Sequence, residues 1–122
     1  MKHARYSLMF IIVLFLFGCE KNENETLNAC KSSNPVENVV WLKAIKNGMT
    51  NCYCEKSILQ GTYNNQAVFY VLSTDELCDG VDMPTLYDCY GKVVRTFTKD
   101  DYQEFYEVVK AEEVLYKCKT TK

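Results

Sequence analysis

The chain has 122 residues, with 14 Lys+Arg against 16 Asp+Glu and a net charge of −2. No basic run is present to neutralise phosphates, which points away from nucleic acid as a partner. The single histidine is His3 and there are seven cysteines, so cysteine rather than histidine chemistry dominates whatever follows the first few residues.

The chain opens MKHARYSLMFIIVLFLFGCE. Lys2, His3 and Arg5 make a short basic start, and Leu8–Phe17 is an unbroken apolar run. A membrane-spanning helix needs about 20 apolar residues, so the run fits the core of an export signal instead. It ends in Leu16-Phe17-Gly18-Cys19, which resembles the lipobox of bacterial lipoproteins, with Phe17 bulkier than the residue usual there. That resemblance implies a signal peptide over residues 1–18, cleavage before Cys19, and acylation of Cys19 with chains such as palmitate. Several acyl chains give stable anchoring. Residues 19–29 then form a polar tether holding Glu20, Glu23 and Glu25, too poor in apolar groups to fold alone. Acidic residues just after the lipidated cysteine resemble an export signal of the Bacteroidota, although a solvated linker has the same composition.

Residues 30–122 are expected to be one domain. Loss of Lys2 and Arg5 leaves 12 basic against 16 acidic side chains, a net charge of −4, with Arg95 the remaining arginine. No histidine is left, which removes Ser-His and Cys-His nucleophilic pairs and histidine zinc sites. Six cysteines remain: Cys30, Cys52, Cys54, Cys78, Cys89 and Cys118. An even number in a small exported domain reads as a disulfide framework. Cys52 and Cys54 are too close in sequence to bond to each other without strain, so each must reach a different partner. If extended, they would point to the same face.

In chain order, NPVENVVWLKAIKNG reads as a helix. Asn34 suits the N-cap, Pro35 the first helical position and Glu37 the return arm of a capping box. Val36, Val39, Val40, Ala44 and Ile45 supply an apolar face, widened by Trp41 and Leu42, and Gly48 is expected to end the helix in a left-handed conformation. SILQGTY and QAVFYVLS flank Asn64-Asn65, a hairpin signal. The run Ala67–Leu72 is apolar on both faces and predicts a central strand. TLYDCYGKVVRTF predicts a second hairpin, with Asp88 opening a type I turn opposite Lys92, Gly91 in the left-handed position, and Cys89 placed to staple the tip elsewhere. Thr98 with Asp101 signals a capping box for a helix over about residues 99–111, carrying Tyr102, Phe105, Tyr106 and Val109 on one face. VLYKCK predicts a last strand. The order α-β-β-β-β-α-β predicts an α+β domain, an antiparallel sheet of about five strands packed against two helices on one side.

The whole domain is similar to a family of small, cysteine-rich, uncharacterised lipoproteins of the Bacteroidota. The similarity rests on WLK at 41–43, CYC at 52–54, QAVFYV at 66–71 and LYDCYGKVV at 86–94, with Tyr90 where the family often has Asp. It supports lipidation and fold more than function, the family having no assigned activity.

Three chemistries compete for the cysteines and carboxylates. Zinc on Cys52, Cys54, Cys78 and Cys89 is disfavoured because structural sites use C-x₂₋₄-C rather than C-x-C. Thiol redox chemistry would need C-x-x-C. Asp75, Glu76, Asp79 and Asp82 gather in the loop STDELCDGVDMP and could hold Ca²⁺, but the spacing is not that of an EF-hand. No metal or cofactor is therefore expected. Stapled by Cys78, the same loop suits a recognition surface. Tyr63, Tyr70, Tyr87, Tyr90, Tyr102 and Tyr106 supply contact area on strands, turns or the second helix, with Tyr90 at a hairpin tip the best exposed contact. The expected binding surface is therefore Asp79, Asp82 and Tyr90.

The sequence thus predicts a non-enzymatic protein of the bacterial outer membrane, held on its periplasmic or outer face through Cys19, that binds an envelope protein or glycan. An inhibitor of a secreted hydrolase is the alternative. A carboxylate-dependent enzyme using Asp79/Asp82 or Asp100/Asp101 is the lesser one.

Overall fold

Asn64 and Asn65 adopt φ of 50° and 60°, the left-handed conformation that a two-residue hairpin turn demands and that asparagine tolerates. Their turn joins β1 (Lys56–Tyr63) to β2 (Gln66–Ser73), paired from Tyr63↔Gln66 to Lys56↔Ser73. This hairpin is the centre of the computed structural model, which describes residues 27–75, 78 and 83–119. The expected signal peptide, Cys19 and the expected tether up to residue 26 lie outside the described residues.

β3 (Thr85–Tyr87) pairs with β2, β4 (Val93–Thr96) pairs with β3, and β5 (Val109–Cys118) pairs along the whole of β1. The result is a five-stranded antiparallel sheet of order β4-β3-β2-β1-β5. β2 is central, as its two apolar faces predict. With α2 (Val40–Gly48) and α3 (Tyr102–Val108) the fold is α+β.

The helices do not share one side of the sheet, contrary to expectation. Ile58 and Phe69 pack with Val36, Val39 and Leu42 on one face. Leu59, Val68 and Tyr70 pack with Phe97 and Phe105 on the other. A strand apolar on both faces must be covered on both, and α3 supplies the second cover.

The first helix is also broken. α1 (Pro35–Asn38) is separated from α2 by Val39, whose φ of −103° and ψ of 117° are extended. Its backbone stays paired, the amide donating to Pro35 O at 2.9 Å and the carbonyl accepting from Lys43 N at 2.9 Å. The break resets the helical phase. Val39 and Leu42 are buried, while Val40 and Ala44 turn to solvent. Pro35 holds the first helical position, but the Asn34 side chain makes no capping hydrogen bond, and Glu37 pairs instead with Lys46. Gly48 is the last residue of α2 and does not turn left-handed; Asn51, with φ of 53°, does so three residues later.

The second helix is shorter than its sequence suggests. A 3-10 turn at Lys99–Asp101 leads into α3, which stops at Val108. Val109 is extended and buried because β5 starts there, opposite Tyr63. Eight residues of pairing with β1 outweigh one more helical turn. β5 skips register twice against β1, leaving Glu112 and Leu115 without a partner residue. Bulges and charges of this kind protect an exposed sheet edge from pairing with other chains.

Candidate functional site

The cysteines form three disulfides: Cys30–Cys89, Cys52–Cys118 and Cys54–Cys78. Cys52 and Cys54 do take different partners, and Cys89 does staple the second hairpin's tip. Residues 52–54 are irregular rather than a strand, however, since β1 begins only at Lys56. The four cysteines considered for zinc are divided among all three bridges, so they offer no thiolate set.

The bridges are distributed between two ends of the sheet. Lys56 pairs with both Ser73 and Cys118, so Cys52–Cys118 and Cys54–Cys78 gather where β1 starts and where β2 and β5 finish. The Asn64-Asn65 turn marks the opposite end. The β3–β4 tip points toward that turn, because β3 runs antiparallel to β2. The entering chain is fixed there too, by Cys30–Cys89 and by Ala29 N donating to Cys89 O at 2.8 Å.

At the doubly stapled end Tyr53 stands between two bridged cysteines and is 77% exposed. Cys52 ties its N-terminal side to β5, and Cys54 ties its C-terminal side to the loop before β3. The backbone around the ring is therefore held from both sides, and little ordering is left for a partner to impose. Tyr53 is not among the tyrosines that the sequence singles out. The available signal is the C-x-C spacing itself: two cysteines that cannot join each other must anchor the residue between them.

Of the predicted binding surface, Asp79 and Asp82 lie outside the described residues, as does Glu76 of the proposed calcium loop. Tyr90 is at the second hairpin's tip and is 60% exposed. That tip forms as its sequence predicts. Asp88 N donates to Lys92 O at 2.8 Å, Gly91 N donates to Asp88 O at 3.1 Å, and Gly91 has φ of 81°. The Asp88 carboxylate accepts from the amides of Tyr90 and Lys92 at 2.8 and 2.9 Å. Beneath the tip, the Trp41 ring packs against Phe69 and Tyr87.

A second exposed aromatic pair lies on α3. Tyr102 and Tyr106 have ring centroids 5.0 Å apart, and with Gln103 and Glu107 they border a shallow, open depression of about 510 Å³. Burial, and then the neighbouring Tyr102, raises the Tyr106 pKa. Arg95 is engaged nearby, donating to Glu104 at 2.8 Å and to Tyr63 Oη at 3.3 Å, with its guanidinium 4.2 Å from the Phe97 centroid.

Of the other predicted carboxylate pair, Asp101 is occupied. Its carboxylate accepts from Thr98 N at 2.8 Å and from the Thr98 hydroxyl at 3.0 Å, completing the expected capping box. The Thr98 amide and hydroxyl lower its pKa, which keeps it ionised and committed to the helix start. Among the described residues, no group of three His, Cys, Asp or Glu side chains is placed to hold a metal ion.

Three disulfides in so short a chain point to an oxidising, extracytoplasmic compartment. Among the described residues, no helix is long and apolar enough to cross a membrane. Comparison with protein-family models, with curated proteins and with solved structures gives no match.

Proposed function

We propose that the protein is a lipid-anchored component of the bacterial outer membrane that binds an envelope protein or glycan without catalysing a reaction. The Leu16-Phe17-Gly18-Cys19 motif supports the anchor, and the disulfides agree with export. This reading includes the resemblance to the small Bacteroidota lipoproteins.

One observation carries the binding role. Tyr53 is held out between two disulfides, at the end of the sheet opposite the one where the chain enters from the tether. Tyrosine offers a large amphipathic contact at low entropy cost, and here its backbone is already restrained. Tyr53 is thus exposed at the end of the sheet opposite the chain's entry, where it is open to an envelope partner. Cys78, which directly precedes Asp79 in the sequence, is bridged to Cys54 in the same staple.

A rigid, exposed tyrosine also suits the alternative reading, insertion into the cleft of a secreted hydrolase. The carboxylate-enzyme reading draws less support, because Asp101 is committed to its cap.

The test is a photo-crosslinking amino acid at position 53 of the intact lipoprotein in its native cells, with the same probe at exposed Val40 as the control. A discrete adduct formed at 53 and not at 40 is expected. An adduct mapping to the active-site cleft of a hydrolase would select the inhibitor reading. Equal, diffuse labelling from both positions would remove Tyr53 as the binding site.

A further inference from the structure

The end of the domain that faces the tether has its own surface chemistry. Leu27 is 65% exposed there. Next to it, Asn28 Nδ2 donates to the exposed Tyr90 hydroxyl at 3.3 Å, so the entering chain and the hairpin tip form one patch. Exposed Val93 follows in β4, and exposed Lys31 and Lys92 flank the patch. The carboxylate of the tip, Asp88, is turned onto the amides of Tyr90 and Lys92. An aliphatic side chain and a tyrosine bordered by lysines are the groups that settle at a membrane–water interface. The rings and stems enter the headgroup layer while their polar ends stay wet.

The length of the tether decides what this patch meets. Eight residue steps separate Cys19 from Leu27. Fully extended they span about 28 Å, and as a flexible chain about 15 Å. A headgroup layer is roughly 5–7 Å deep. Acylated at Cys19, the domain could not move far from the bilayer, and the patch beside Leu27 is the part of it held nearest.

We propose that the Leu27–Tyr90 end of the domain rests on the lipid surface, with both side chains in the headgroup region and the doubly stapled Tyr53 end directed away. This inference rests on acylation of Cys19. Apolar and aromatic burial is the driving force, because Glu20, Glu23 and Glu25 of the tether offset Lys21, Lys31 and Lys92. Contact is therefore insensitive to salt.

Trp41 provides the probe. It is the sole tryptophan of the chain, and a Cβ at Gly91 of the tip would come within 2.8 Å of its ring. The acylated protein, extracted from its own membranes, is reconstituted into phosphatidylcholine vesicles with or without a headgroup nitroxide. Flotation and the mass of the N-terminal peptide report the anchor; Trp41 emission reports the orientation. The nitroxide is expected to remove most of the Trp41 emission at low and high salt alike. The acylated double variant Leu27→Ser/Tyr90→Ser should float equally well and lose the quenching. Protein that floats but emits equally with and without nitroxide would overturn the orientation and leave the anchor standing. A double variant that stays quenched would overturn the role of the two side chains. An unacylated N-terminus that fails to float would overturn the anchor, and the inference with it.

Discussion

Two glycines show how much a single position depends on its surroundings. Gly91 has φ of 81°, and a Cβ there would meet the Trp41 ring at 2.8 Å. Gly91→Ala should cost about 2–4 kcal/mol, combining a left-handed alanine with displacement of a packed ring. Gly48, at the end of α2, has nothing within 4 Å of the point where an alanine methyl would sit. Gly48→Ala should instead add about 0.5–1 kcal/mol by restricting the unfolded chain. Urea unfolding of the oxidised protein, followed by Trp41 emission, measures both; equal effects would refute this account. Tyr70 sets an alkaline limit. It is buried, and its pKa is pushed up to about 12 by that burial and then by Tyr106 and Glu112. Unfolded, the phenol titrates near pH 10. Above that value the unfolded chain sheds a proton that the folded one retains, so stability is full below about pH 10 and falls as pH rises toward 12. The urea midpoint should drop between about pH 10 and 11.5, and less steeply in Tyr70→Phe. Parallel curves would show that the hydroxyl is not responsible.

At the scale of elements, local signals were legible and long-range ones were not. Asn64-Asn65 announced the first hairpin, Asp88 and Gly91 announced the second, and Thr98 with Asp101 announced the start of the second helix. Each is written in neighbouring residues that satisfy one another's backbone groups. The break at Val39 is different. The segment from Pro35 to Gly48 has helical composition throughout, and only the sheet beneath it requires Val39 and Leu42 to share one seam. The end of α3 was hidden in the same way. Residues 109–111 read as helix until β1 offers them a ladder of hydrogen bonds. Coverage of both sheet faces was implicit in the two apolar faces of β2, yet the side taken by each helix depends on the crossover from β4 to β5. In the candidate site, the divergence of Cys52 and Cys54 followed from their spacing. Their choice of Cys118 and Cys78 did not, because it depends on which strand ends meet. Tyr53 gained its standing only once those ends were placed.

For the molecule as a whole, a sheet covered on both sides divides a modest apolar content into two cores. Small domains bury a low fraction of their surface, and dividing the core makes cross-links matter more. Cys30–Cys89, Cys52–Cys118 and Cys54–Cys78 have sequence separations of 59, 66 and 24 residues. Loop-closure entropy assigns them about 4.2, 4.3 and 3.5 kcal/mol, against a total stability of about 5–15 kcal/mol for a typical domain. Removing one bridge by paired Cys→Ala substitution should leave a folded but weakened protein, with Cys54–Cys78 the mildest loss in urea unfolding. Reducing all three should abolish the cooperative transition and the near-ultraviolet circular dichroism. Binding should rank the bridges differently. Cys54–Cys78 closes the shortest loop, but it holds one side of Tyr53 and fixes Cys78, the residue before Asp79 in the sequence. Its removal should therefore cost least in stability and most in crosslinking from position 53. Cys30–Cys89 lies at the opposite end, and its loss should weaken the fold while leaving that crosslink intact. If the two measurements ranked the bridges alike, the staple at Cys54 would be serving stability alone, and the binding surface would have to be sought on α3 around Tyr102 and Tyr106.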